Sequence, residues 1–118
     1  MTATAALLVA LGAGLGAPLR LLAAHRWDGP GERRWPHGTL TVNLVGSLLL
    51  GLLVGAAVDG HLLALLGTGF CGALTTYSSF AVQAVTLGGR RGTAYAAATV
   101  GGCLLLATLG HVAARALF

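Results

Sequence analysis

Four apolar stretches, separated by short charged connections, set the strongest limit on how this chain can fold. Each has the roughly 20 residues that an α-helix needs to cross the hydrocarbon of a bilayer. They run from about Ala3 to Ala24, Gly38 to Val58, His61 to Gly88 and Thr93 to Ala114. Hydrophobic residues make up 56% of the 118-residue sequence and charged residues only 8%, against about 25% charged in an ordinary soluble domain. A soluble fold of this size would lack the polar groups to cover its surface, whereas lipid makes such a composition sensible. The expected fold class is all-α integral membrane, one four-helix transmembrane domain over residues 1–118.

The cations are distributed as topology signals. Arg26, Arg33, Arg34, Arg90 and Arg91 sit between apolar runs, and none forms a stripe along a helix, so the net charge of +4 does not point to nucleic acid. The side of the membrane bearing those five arginines opposes a side bearing only Arg115. Positive charge favours the cytoplasm, which predicts a multi-pass plasma-membrane protein with both termini outside. Trp27 and Trp35 flank the loop from Arg26 to Pro36, as interfacial anchors do. Cys71 and Cys103 lie within apolar runs and offer neither a disulfide framework nor a zinc spacing. The segment Met1-Thr2-Ala3-Thr4 has no basic residues of the kind that open a signal peptide, so the first run is retained as a membrane helix.

Small residues recur at helix-packing spacing, Gly12 with Gly16 and Ser47 with Gly51 and Gly55. Their first reading is close backbone approach between helices in lipid. The third span is different. Between Gly69 and Phe80 it reads Gly-Phe-Cys-Gly-Ala-Leu-Thr-Thr-Tyr-Ser-Ser-Phe, with Thr75, Thr76, Ser78 and Ser79 falling where hydroxyls must find partners. One such hydroxyl can bond back to its own helix. Four beside Gly72 predict a helix broken near the midplane, which exposes N–H and C=O groups able to hold ions. Tyr77 and Phe80, three apart, share a face and can turn positive ring edges toward an anion or simply pack. Asn43, about 8 Å into the second span, offers amide donors to an anion or an interhelical bond. Arg20 is expected to snorkel to a vestibule. His61 and His111 lie near span ends and face the interface. Asp28, Glu32 and Asp59 are all assigned to loops, so no carboxylate is expected within a span for proton-coupled export. Nor is there a nucleophile–base pair or metal cluster on which an enzyme could be built.

Three stretches resemble the fluoride channel family, Fluc, also called CrcB. They are Gly12-x3-Gly16-Ala17-x2-Arg20, then Pro36 through Ser47 with Asn43 inside it, and Gly69 through Phe80. The resemblance implies an antiparallel dimer with two pores that exports fluoride passively. Asn43, Thr76, Tyr77, Ser78, Ser79 and Phe80 would line the path and Arg20 would lie toward an entrance. A structural Na⁺ would sit at the dimer centre on the backbone carbonyls of Gly72 and Thr75. Tyr77 stands where the family usually has Phe, and Ala73 where a Gly is common. Two other readings stay open, a small multidrug-type exporter and a non-transporting membrane subunit. The arginine bias adds a further expectation, that the partner is an oppositely oriented homologue rather than a second copy.

Overall fold

In the computed structural model, residues 2–29 and 34–118 are described; Pro30, Gly31, Glu32 and Arg33 lie outside them. Four helices are long and apolar enough to cross a membrane: Ala3–Asp28, His37–Gly55, Gly60–Leu87 and Gly89–Leu117. The third is interrupted, so five helices are distinguished. These are α1 (Ala3–Asp28), α2 (His37–Gly55), α3 (60–74), α4 (Ser78–Leu87) and α5 (Gly89–Leu117). No strand occurs among the described residues.

Local chemistry sets most of the boundaries. Thr2 accepts the N–H of Ala5 through its hydroxyl at 3.1 Å and starts α1, satisfying one donor that the first turn leaves unpaired. Gly88 and Gly89, with φ of 65° and 52°, turn the chain between α4 and α5 in a conformation that costs a side chain energy. That turn is shorter than the expected Gly89–Gly92 connection, so Arg90 and Arg91 belong to the first turn of α5. Two other boundaries differ. α1 runs on to Asp28, because its last five residues widen into a π-type turn, Ala24–Asp28. α2 ends at Gly55 rather than Val58, where the chain reverses through Ala57 at φ 59°. Asp28, assigned above to a loop, is therefore the last residue of a helix.

Glycines decide which helices touch. A Cβ at Gly12 would overlap the Leu65 carbonyl oxygen, one at Gly16 the Phe70 carbonyl oxygen, and one at Gly69 would lie 2.7 Å from the Val9 carbonyl oxygen. α1 and α3 thus pack backbone on backbone. α2 meets α5 in the same way, through Gly51 against Ala107, Gly55 against His111 and Gly110 against Leu48. This is the packing expected where lipid tails leave no hydrophobic drive between helices. Along its contact with α1, α3 is π-wound over Ala64–Cys71, a geometry uncommon outside functional or strained sites. The outward faces are apolar, with Leu7, Leu11, Leu15 and Leu22 of α1 and Leu104, Leu105 and Val112 of α5 all exposed. In water such a surface would aggregate; in a bilayer it is the solvated face.

Candidate functional site, a groove at the helix break

The interruption of the third span falls at Thr75–Tyr77. Thr75 adopts an extended backbone, φ −82° and ψ 158°, and helix resumes at Ser78. What holds it open is a pair of hydrogen bonds from α2. The Thr76 N–H donates to Asn43 Oδ1 at 2.7 Å, and Asn43 Nδ2 donates to the Thr76 carbonyl at 3.0 Å. A primary amide can meet one residue's backbone in this two-point fashion because its oxygen accepts that residue's N–H while one of its two N–H groups donates to the same residue's carbonyl. Asn43 is only 6% exposed, so the pairing is made away from water, where an unpaired peptide would be costly.

The hydroxyls divide the remaining work. Thr75 Oγ1 donates to the Cys71 carbonyl at 2.9 Å, the back-bonding that any single Thr in a helix can adopt. Thr76 Oγ1 accepts the Ser79 N–H at 3.2 Å and lies 3.4 Å from Ser78 Oγ, which makes Thr76 the side-chain cap of α4. Ser78 and Ser79 are exposed. Among the described residues, the carbonyls of Gly72, Ala73, Leu74 and Thr75 accept no hydrogen bond, nor do the N–H groups of Tyr77, Ser78 and Phe80 donate one. The break therefore presents acceptors from the end of α3 and donors from the start of α4, as opposed helix ends do.

Beside the break runs an open groove of about 730 Å³, to which Asn43, Gly72, Thr75, Thr76, Tyr77 and Phe80 all contribute. It continues along α2 past Ser47, along α3 past Thr68, and along α5 past Thr99 and Cys103. Among the described residues, no charged side chain lines it. Its aromatic wall is a ladder: Tyr77 to Phe80 at 5.9 Å between ring centroids, and Phe80 to Tyr95 at 5.6 Å. Tyr95 in turn meets Trp35 edge-on at 5.5 Å. Tyr77 is 78% exposed whereas Tyr95 is fully buried, so the ladder runs from the open side of the groove into the helix packing.

Eight sequence-derived residues gather here in part. Asn43, Gly72, Thr75, Thr76, Tyr77 and Phe80 come together on the groove; Ser78 and Ser79 sit at the head of α4 without lining it. Arg20 is half-buried on α1 and does not line the groove. Thr68 and Thr99 were not singled out in the sequence, and Ser47 appears there only in a row of packing residues and in the Pro36–Ser47 stretch. Ser47, one helical turn from Asn43, and Thr68 line the groove with hydroxyls. Thr99 is 4% exposed, and its Oγ1 has no hydrogen-bond partner among the described residues. The available signal was spacing, since Tyr95, Thr99 and Cys103 recur every four residues and so share one face of α5.

The family model described as CrcB-like protein, Camphor Resistance (CrcB), matches residues 7–111. The chain belongs to the CrcB family. Among its relatives, this CrcB chain is 54% identical over 81 residues to "Fluoride-specific ion channel FluC 2" of Rhodococcus jostii, covering 69% of each chain. It is 42% identical to "Fluoride-specific ion channel FluC 1" of Frankia casuarinae over 95% of its own length and 97% of the relative's. With "Fluoride-specific ion channel FluC 2" of Moorella thermoacetica the identity is 46%, covering 89% and 93%. The match to the CrcB family model reaches into all four helical spans and takes in every residue that lines the groove.

Proposed function

We propose that this CrcB chain is a fluoride channel, a multi-pass protein that lets fluoride leave the cytoplasm down its gradient, and not an enzyme. One observation carries the reading: between apolar walls that include Leu50, Val54, Leu63 and Val100, the groove gathers the Asn43 amide, the hydroxyls of Thr75, Thr76 and Thr99 and the rings of Tyr77 and Phe80, with no charged side chain among the described residues. Fluoride is small and strongly hydrated, so a path for it must replace water with dense hydrogen-bond donors. Neutral donors can do so without the deep trap that a fixed positive charge would create. In this reading Asn43, Thr76, Tyr77, Ser78, Ser79 and Phe80 line the route, Thr99 adds a donor, and Arg20 draws anions toward an entrance. Asn43 spends one N–H and its oxygen on Thr76. Its second N–H is what it would offer an ion.

A groove open on one side is half a conduit. The reading therefore includes a second chain packed antiparallel against this face, giving two pores. The unpaired carbonyls of Gly72 and Thr75 suit a structural Na⁺ between the two copies, because hard cations take neutral or anionic oxygens. Such an ion would brace the pair. The arginine-rich connections would face the cytoplasm and both termini the outside of the plasma membrane, with an oppositely oriented homologue as the preferred partner. A multidrug-type exporter is less well supported. The carboxylate of Asp28 is tied to Thr39 and Gln83 and does not line the groove.

The test is fluoride efflux from liposomes containing this chain alone, with chloride as control. Fluoride flux without chloride flux is the expected result, weakening when Na⁺ is replaced by a large organic cation. Absence of flux from the chain alone, and again after reconstitution with an oppositely charged homologue, would overturn the reading in favour of a non-transporting subunit. A C-terminal topology reporter that inserts equally both ways would remove the heterologous partner.

A further inference from the structure

A second polar system lies behind the aromatic ladder and joins all four spans. Asp28, at the end of α1, accepts the Thr39 N–H at 3.0 Å on Oδ1 and the Thr39 hydroxyl at 2.7 Å on Oδ2. Gln83 of α4 donates through Nε2 to Thr39 Oγ1 at 3.1 Å and to Asp28 Oδ2 at 3.3 Å. Tyr95 of α5 donates its hydroxyl to Gln83 Oε1 at 2.9 Å. Thr39 is 2% exposed and Tyr95 is fully buried, while Asp28 and Gln83 are half-buried.

The direction of every bond in this relay follows from its first member. A carboxylate only accepts. Thr39 must therefore donate to it, which leaves the Thr39 oxygen to accept from Gln83. The Gln83 amide cannot turn over, because its oxygen would then face both the carboxylate and a hydroxyl whose proton is already used. With Nε2 held toward Asp28, Oε1 is held toward Tyr95, and the Tyr95 proton has one destination. None of these four residues lines the groove, but Tyr95 stacks on Phe80. One helical turn beyond Tyr95 is Thr99, whose buried hydroxyl lines the groove and makes no hydrogen bond of ordinary geometry among the described residues, although it lies close enough to the Tyr95 hydroxyl to act on it.

We propose that Asp28 is a positioning residue that fixes the direction of this relay and so keeps the Tyr95 proton away from Thr99. An amide in place of the carboxylate can donate as well as accept, which allows Thr39 and Gln83 to reverse. Tyr95, now accepting from Gln83, is then free to donate to Thr99 Oγ1, one helical turn along the same face. A hydroxyl that accepts a hydrogen bond becomes a stronger donor, so the groove would hold an anion more tightly. The native acid keeps that grip loose, which suits a channel, where binding must be weak enough to release the ion. The relay stands on the geometry alone; its effect on ion hold rests on the fluoride reading above.

Two measurements on Asp28→Asn separate the relay from that reading. The first is the Raman Fermi doublet of tyrosine, whose intensity ratio reports whether a phenol donates or accepts. It is recorded in a Tyr77→Phe background, which leaves Tyr95 as the sole tyrosine of the two in the chain. The second is fluoride efflux as a function of fluoride concentration. The doublet should change on Asp28→Asn and not on Asp28→Glu, and the half-saturating fluoride concentration should fall about threefold. In a Tyr95→Phe background, Asp28→Asn should no longer move it. An unchanged doublet overturns the relay. A shift in half-saturation that persists without the Tyr95 hydroxyl overturns its link to the groove. A changed doublet in a protein that conducts no fluoride at all leaves the relay standing and removes the channel.

Discussion

The two halves of the third span are built on different physical principles. α3 is clamped to α1 by backbone contact at Gly12, Gly16 and Gly69, so closely that none of the three has room for a Cβ. α4 is positioned by side chains: Asn43 on the peptide of Thr76, the Thr76 hydroxyl on Ser79, and Gln83 on Asp28 and Thr39. It leaves Val82 and Val85 exposed at 65% and 82%. Backbone contact in lipid is rigid and specifies no chemistry. Hydrogen bonds from side chains are fewer and directional, and they set which donors face the groove. The rigid half supplies a wall, while the hydrogen-bonded half carries the site.

That contrast can be broken at either end. The largest effect is expected for Gly12→Val. Its side chain would meet the Leu65 carbonyl and the Phe70 N–H, and the helices can separate only by losing their packing. A loss of about 3 kcal/mol is expected, read as a lower midpoint for unfolding in detergent and failure to reconstitute. Next comes Asn43→Ala, which strips both partners from the Thr76 peptide. It should cost about 2 kcal/mol and abolish fluoride efflux. Phe80→Ile should cut efflux as strongly with little change in the unfolding midpoint, because it removes a ring and no hydrogen bond. If both variants conduct like the parent, the groove is not the route. A small stability effect of the opposite sign belongs to Thr99→Val. Removing a buried hydroxyl that makes no hydrogen bond of ordinary geometry should be neutral or stabilising by about 1 kcal/mol, yet it should slow fluoride efflux. A variant that is stabler and less active would locate Thr99 in the chemistry rather than the scaffold, and a slower one that is also less stable would not.

Much of this was legible in the residues. Absence of charge marked four spans, and four hydroxyls beside Gly72 marked a break that falls at Thr75–Tyr77. The division of labour among those hydroxyls was not legible. Thr75 and Thr76 are adjacent and chemically identical, yet one bonds back to Cys71 and the other caps α4. Only the backbone turn between them distinguishes the two. Asn43 could be read as an ion ligand or an interhelical bond, and the structure gives it the second role while leaving one N–H over. Asp28 was misjudged for a simple reason. Charge in a sequence marks a loop, and a carboxylate that tops one neighbouring helix and accepts from a second reads the same in one dimension.

The sequence by itself determined the solvent, the number of crossings and the place where helix gives way. Those depend on hydropathy and on local backbone chemistry, which act over a few residues and need no partner. The tertiary structure alone decided which glycines become contacts, which amide holds the break open, and which way the relay from Asp28 to Tyr95 points. Each of those depends on groups far apart in the chain, 33 residues for Asn43 and Thr76 and 55 for Asp28 and Gln83. A directional bond between such groups exists only once the helices have packed.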